Sequence, residues 1–437
     1  MNLEVVKSYA LVILVCISFM LTFSLWSYQS TNKLVEEGGY VSQEDMDLDG
    51  TVETKKSLIQ PYMLIFDEYN HYSGFEDPTD RQALYKDMQE WVLYNIRINE
   101  ANGKPDDDKK IEMIFPDALP MKLIPSLFTI NNTEEIRLPE NVLFERVYIT
   151  FTSNNSLTFT FLSTDGQTQV QFDVNNTQKR DLLQSYMNGE EELIAYEVIE
   201  ESEHAIYIPS DSITFMKYSS NYAEIDPNKM RNALFQEPSR AIINQSEENE
   251  LWFQDSQRTM QVYSNRIGME FVNPLEYLGN QIDILDLLDK SITRTNSYKG
   301  WTQEFHLENL DSSLSSFRYR MFYNGYPVFS NDNLAMIEEL WINNELSELK
   351  RPLFNITNIR EDVEVELPSG SEIISYLEDY SAIELSEIQD IQVGYRLSYQ
   401  ETPIKKLSFT PTWYMKVNDN WEPISIDDEL LFSKGVS

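Results

Sequence analysis

Residues 147–152 read VYITFT, residues 157–162 read LTFTFL and residues 168–174 read TQVQFDV. Each run alternates apolar and polar side chains, the period-two pattern of a strand buried on one face. Asn154-Asn155 separates the first pair and Asp165-Gly166 the second, and both are good turn chemistry. The three runs predict an antiparallel sheet. Helical spacing follows over 177–188, with Leu182, Leu183, Tyr186 and Met187 on one side and Gly189 at the end. Upstream, QPYMLIF at 60–66 has the length of a buried strand. Pro78 suits the first turn of a helix capped by Asp77, and Leu84, Met88, Trp91, Val92, Asn95 and Ile96 fall at helical spacing. Residues 102–108 then read as a loop. Strands and helices in this mixture predict an α+β domain over 58–190.

The rest of the chain reads as similar material. Residues 258–263 and 269–272 predict a hairpin, and 275–292 carry Leu and Ile at helical spacing. RYRMFYNGYPVF at 318–329 sets Asn324-Gly325 between two apolar arms, a strong hairpin signal. Over 336–354 the periodicity allows a helix, but Asn343-Asn344 and Pro352 favour two strands. A helix is expected at 371–380, then strands at 391–399 and 406–417 and a turn at 418–420. Two further α+β domains are expected, 191–292 and 293–437. Each has a hairpin beside a helix, which hints at duplication of one unit; chance similarity of two hairpins explains the pattern equally well.

Before these domains stands YALVILVCISFMLTFSLW at 9–26, without charge, proline or glycine. A bilayer takes roughly 20 apolar residues in a helix, which 9–28 supplies. Tyr9, Trp26 and Tyr28 fall at the ends, where aromatic rings prefer the headgroup layer. The run is longer than a usual signal-peptide core and no small-x-small cleavage site follows, which favours an uncleaved anchor. Residues 1–8 are then a cytoplasmic stub, 29–57 an acidic linker, and the bulk of the chain lies outside the cell membrane. Asp45, Asp47, Asp49 and Gly50 in the linker spell the start of a calcium loop, but the twelfth position is Lys56 and not Glu. A solvated acidic linker is the preferred reading.

With Lys plus Arg at 34 and Asp plus Glu at 72, the net charge is −38. Such a surface repels nucleic acid and anionic lipid alike, leaving the apolar run as the membrane attachment. The single cysteine, Cys16, lies in that run, so the remainder is held by packing without disulfides.

Catalytic signatures are not in evidence. His71, His204 and His306 are far apart, and no HExxH, GxSxG, Walker or GxGxxG pattern occurs. With 72 acids, paired carboxylates arise by accident. Neither a metal, a cofactor nor a catalytic set is expected. A serine triad remains open, because triads are defined by geometry and not by order.

The anchor LVILVCISFMLTFSLW at 11–26, the strand entry QPYMLIF, YNGYPVFSND at 323–332 and PTWYMKVNDNWEPI at 411–424 together resemble the YycH (WalH) family of Gram-positive bacteria. The resemblance covers essentially the whole chain, and the later segments also look like those of the sister protein YycI. It implies a membrane helix followed by three α+β domains. It also implies a non-enzymatic regulator that acts beside YycI on the sensor histidine kinase WalK (YycG), which signals to WalR in control of cell-wall metabolism. Family contacts to the kinase run through transmembrane helices. On this chain the stripe Leu11, Leu14, Val15, Ser18, Thr22 and Leu25 is the candidate contact, because small and hydroxyl side chains let helices pack in lipid. Alternatively Ser18 and Thr22 bond their own i−4 carbonyls and face lipid. The rival functions are an anchored exported enzyme, which requires a cleft where a histidine or carboxylates with perturbed pKa converge, and a passive binding module for wall polymers.

Overall fold

The computed structural model describes residues 42–131, 137–152, 155–189, 191–200, 204–277, 279, 283–380, 383–400 and 405–425. The expected anchor and all six residues of its stripe lie outside them. Among the described residues no helix is long and apolar enough to cross a membrane.

Two large sheets organise these residues. The meander appears as expected: Leu143–Phe151, Leu157–Ser163 and Thr168–Val174 pair antiparallel in sequence order. They sit within a sheet ordered Ile206–Pro209, Ile194–Ile199, His71–Gly74, Met63–Glu68, Lys109–Pro120, the three meander strands, Val92–Glu100 and Thr129–Ile130. Phe128, Phe144, Phe159, Phe161 and Phe172 fill its covered face, with ring centroids 5.2 to 6.1 Å apart at steep angles. Edge-to-face contacts of this kind satisfy the ring quadrupoles and bury large apolar area. Helix Thr177–Met187 begins at Asn176, whose side chain accepts from Gln178 N and Lys179 N, and it buries Leu183 and Met187.

The second sheet takes strands from both regions expected as separate domains. Gly268–Val272 pairs with Glu345–Pro352, and Ile213–Glu224 lies between Lys406–Val417 and Phe354–Leu367. Pairing therefore crosses the boundary expected at 292/293. Strands Ile194–Ile199 and Ile206–Pro209 likewise complete the first sheet from beyond residue 190. Met336–Ile342 and Glu345–Pro352 are the two strands favoured over one helix, turning at Asn343 (φ 49°) and Asn344 (φ 73°). The Asn324-Gly325 hairpin joins Ser316–Tyr323 to Tyr326–Phe329, with φ of 48° and 73° at the turn.

Three expectations are corrected. The helix begun at Pro78 stops at Gln89, and Trp91 to Ile96 do not continue it. Val92–Glu100 is a strand paired with Thr168–Val174, held by an Arg97–Asp173 ion pair at 2.7 Å and kinked at Asn95, φ 52°. Cross-strand pairing outweighed a spacing that also fits a helix. The later helix runs Ile284–Ser297 rather than 275–292, because Asp283 caps it by accepting from Leu285 N at 2.9 Å. The acidic linker is not a free tether over its described part: residues 42–54 are docked, with Leu48 fully buried. Asp47 pairs with Lys299 at 2.5 Å and Asp49, itself still exposed, with Lys229 at 3.1 Å, so two acids of the expected tether are paired with cations of the body.

Candidate functional site

The two sheets meet along a seam whose polar end forms the most chemically distinctive surface of the described chain. Tyr62 enters it just before the first strand. Asp117 sits on Lys109–Pro120, and Glu145 and Arg146 on Leu143–Phe151. The second sheet contributes Asp390 and Lys416, one at the start of Asp390–Gln400 and the other near the end of Lys406–Val417. These residues and His204 line a cleft of about 360 Å³, and a neighbouring cavity of about 290 Å³ shares Glu145, Arg146 and His204.

Beneath the cleft lies a buried ion pair. Arg146 Nη1 donates to Glu112 Oε1 at 2.5 Å, with side chains 15% and 4% exposed. Glu112 also accepts from Tyr148 OH at 3.3 Å and Tyr207 OH at 2.7 Å, and Arg146 Nη2 donates to Ala205 O at 3.0 Å. A buried charge persists when an opposite charge and further hydrogen bonds compensate it, here at both guanidinium Nη atoms although Nε has no partner. The carboxylates above it are less well matched. Loss of solvent pushes the Asp390 carboxyl up to about 6, partly offset by hydrogen bonds from Tyr62 and Ile391 N. Desolvation likewise raises Glu145 against the pull of Arg146, and raises Asp117 although Ala118 N and Asn309 donate to it. Three acids thus share one partly dry space with Lys416 and Arg146, a setting in which lost solvation raises each carboxyl above its ordinary value.

Further from the cleft the seam is joined by polar contacts among apolar side chains such as Phe75, Phe215 and Phe322. Arg81 Nη2 donates to Gly325 O at 3.2 Å, Tyr326 OH to Glu76 O at 3.1 Å, and Gln82 Nε2 to Glu304 Oε1 at 3.0 Å.

Of the three histidines, only His204 reaches this cleft. His71 lies on an outer hairpin, exposed, with Nδ1 3.2 Å from Glu68 O and Tyr69 O. His306 is buried against Phe322 and pairs with Glu304 at 3.0 Å. Sequence spacing does not bring Asp117, Glu145 and Asp390 together. They converge only because two sheets meet, and the acids themselves carry no local signal. Among the described residues no group of His, Cys, Asp and Glu is arranged to hold a metal ion.

A two-sheet α+β body with a polar seam and an N-terminal segment ahead of it is the class of protein defined here. The same fold occurs in the crystal structure of YycH from Bacillus subtilis, with a TM-score of 0.70 at 19% identity over 87% of this chain and 99% of that one. The family description "YycH protein, N-terminal domain" matches residues 4–191, and "YycH protein, C-terminal domain" matches residues 203–433. The chain belongs to the YycH family. A curated relative from Bacillus subtilis (strain 168), "Two-component system WalR/WalK regulatory protein YycH", is 23% identical over 465 residues, spanning 100% of this chain and 99% of its own length.

Proposed function

We propose that this protein is a non-enzymatic regulator of a WalR/WalK two-component system, anchored by one N-terminal transmembrane helix with its two-sheet body outside the cell membrane. The observation that carries the reading is the end-to-end match to a relative named as the WalR/WalK regulatory protein. A partner that packs better against one state of the kinase shifts its population by the difference in binding energy, and a few kcal/mol suffices. Residues 9–26 supply the intramembrane contact to WalK through Leu11, Leu14, Val15, Ser18, Thr22 and Leu25. YycI shares the complex.

The test is co-purification from membranes of the native chain, a chain with 9–26 replaced by an unrelated apolar helix, and the double variant Ser18→Leu, Thr22→Ile. Kinase recovered with the native helix alone supports the reading. Equal recovery from all three moves the contact to the body, and recovery from none removes the kinase as a partner.

A second reading is favoured by one observation: His204, Glu145, Asp117 and Asp390 converge on the cleft, with Asp390 near 6. Such a cleft suits a wall-derived ligand or acid–base chemistry on one. Incubation with purified muropeptides distinguishes the two: a cleaved product lost in Glu145→Gln establishes chemistry, and binding without cleavage a ligand site.

A further inference from the structure

The described chain does not enter the N-terminal sheet first. Residues 42–54 lie against the C-terminal half before the chain reaches Met63–Glu68. Leu48 N donates to Tyr298 O at 3.0 Å, Gly50 N to Lys299 O at 3.1 Å and Thr51 N to Trp301 O at 2.9 Å. Glu53 and Asn296 exchange two hydrogen bonds, Glu53 N to Asn296 Oδ1 at 2.9 Å and Asn296 Nδ2 to Glu53 O at 2.8 Å. Asn232 Nδ2 and Asn355 Nδ2 donate to Asp45 O and Leu48 O from two further elements. Lys229 and Lys299 pair with Asp49 and Asp47. A Cβ on Gly50 would lie 2.4 Å from Trp301 O, so the backbones touch as closely as glycine allows.

We infer that residues 42–54 are a strap coupling the N-terminal segment to the C-terminal half, so that displacement of that segment reaches helix Ile284–Ser297 and the 298–301 turn before the N-terminal sheet. The strap has the makings of a releasable joint. One apolar side chain, Leu48, is fully buried and a second, Met46, is partly buried against the core, whereas most of the contact is hydrogen bonds and the Asp47–Lys299 and Asp49–Lys229 ion pairs. Interactions of that kind sit at the low-stability end of a structure and open without global unfolding. The strap also abuts the turn that supplies one of the partners of a buried cation: Arg351 Nη2 donates to Gly300 O at 2.6 Å, beside Nε to Pro352 O at 3.2 Å. Opening the joint therefore disturbs the ordering of Arg351 inside the C-terminal half. As a device for signalling, the strap rests on the regulatory reading above.

The test uses the full chain in lipid nanodiscs, with Leu48→Asp to open the strap and Leu48→Met to retain it. Hydrogen exchange at residues 48, 50 and 51 is expected to quicken at least about tenfold in Leu48→Asp and to stay near native in Leu48→Met, with the 157–174 strands unchanged in both. Unchanged exchange at 48–51 in Leu48→Asp overturns the strap, as does acceleration spread equally over both sheets. In cells, kinase phosphorylation is read in strains that lack this protein or carry Leu48→Asp or Leu48→Met. A deletion effect reproduced by Leu48→Asp supports coupling through the strap. A deletion effect with native behaviour of Leu48→Asp overturns the coupling while leaving regulation intact. No deletion effect removes the regulatory reading, and the strap then stands or falls on exchange alone.

Discussion

Gly325 and Pro78 meet across the seam: a Cβ built on Gly325 lies 2.6 Å from Cβ of Pro78. The turn glycine of one half is seated on the first helical residue of the other, in a backbone conformation, φ +73°, that favours glycine. Gly325→Ala meets both obstacles. Its cost is expected at about 1–3 kcal/mol, and the thermal midpoint of the full chain in detergent should fall by several degrees. A midpoint equal to native would show that the seam yields freely at this point.

Acid should strengthen the seam. The folded-state carboxyl of Asp390, near 6, stands above the unfolded value of about 3.9, so the native state holds its proton longer. Its contribution is present below pH 4 and is lost as pH rises through 4 to 6, on the order of 2 kcal/mol. Asp390→Asn should remove this slope and raise stability at pH 7 relative to native. Denaturant midpoints at pH 4, 5, 6 and 7 check it; parallel curves for the two proteins would refute the linkage.

Glu112→Gln leaves Arg146 buried with a neutral partner and should destabilise by about 3–5 kcal/mol. Glu112→Leu with Arg146→Met removes both charges, at the further expense of the Tyr148 and Tyr207 hydroxyl partners. The double variant should recover part of the loss, and a double-mutant cycle on unfolding free energies measures how much.

Phe161 touches Phe128, Phe144 and Phe172 and is fully buried. Phe161→Ala should cost about 3–5 kcal/mol, and Phe161→Leu much less. Chemical denaturation followed by tryptophan fluorescence separates the two.

Features written locally were legible in the sequence. The meander, the Asp77-Pro78 helix start, the Asn324-Gly325 turn and the pair of strands around Asn343-Asn344 each depend on neighbours within a dozen residues. What stayed hidden depends on distant partners. Ile213–Glu224 carries no mark that it will lie between Lys406–Val417 and Phe354–Leu367. Residues 45–49 read as solvated acid because Lys229 and Lys299 are some 180 and 250 positions away. Val92–Glu100 extended a helical spacing until its pairing with Thr168–Val174 decided otherwise. The acids of the cleft escaped for the same reason: an aspartate becomes unusual only through what is packed around it.

The interleaving of the second sheet sets a timetable for the growing chain. The N-terminal sheet closes once residues 206–209 have been made, so it can condense while synthesis continues. Ile213–Glu224 then waits for partners 130 or more residues later, an expensive loop to close and a slow step by topology. The receptor for Leu48 begins at Tyr298 and is completed only at Asn355. The earliest described residues to leave the ribosome are therefore among the last to find their place, and a ribosome stalled before residue 298 would release a chain with its first sheet formed and its clasp unfastened.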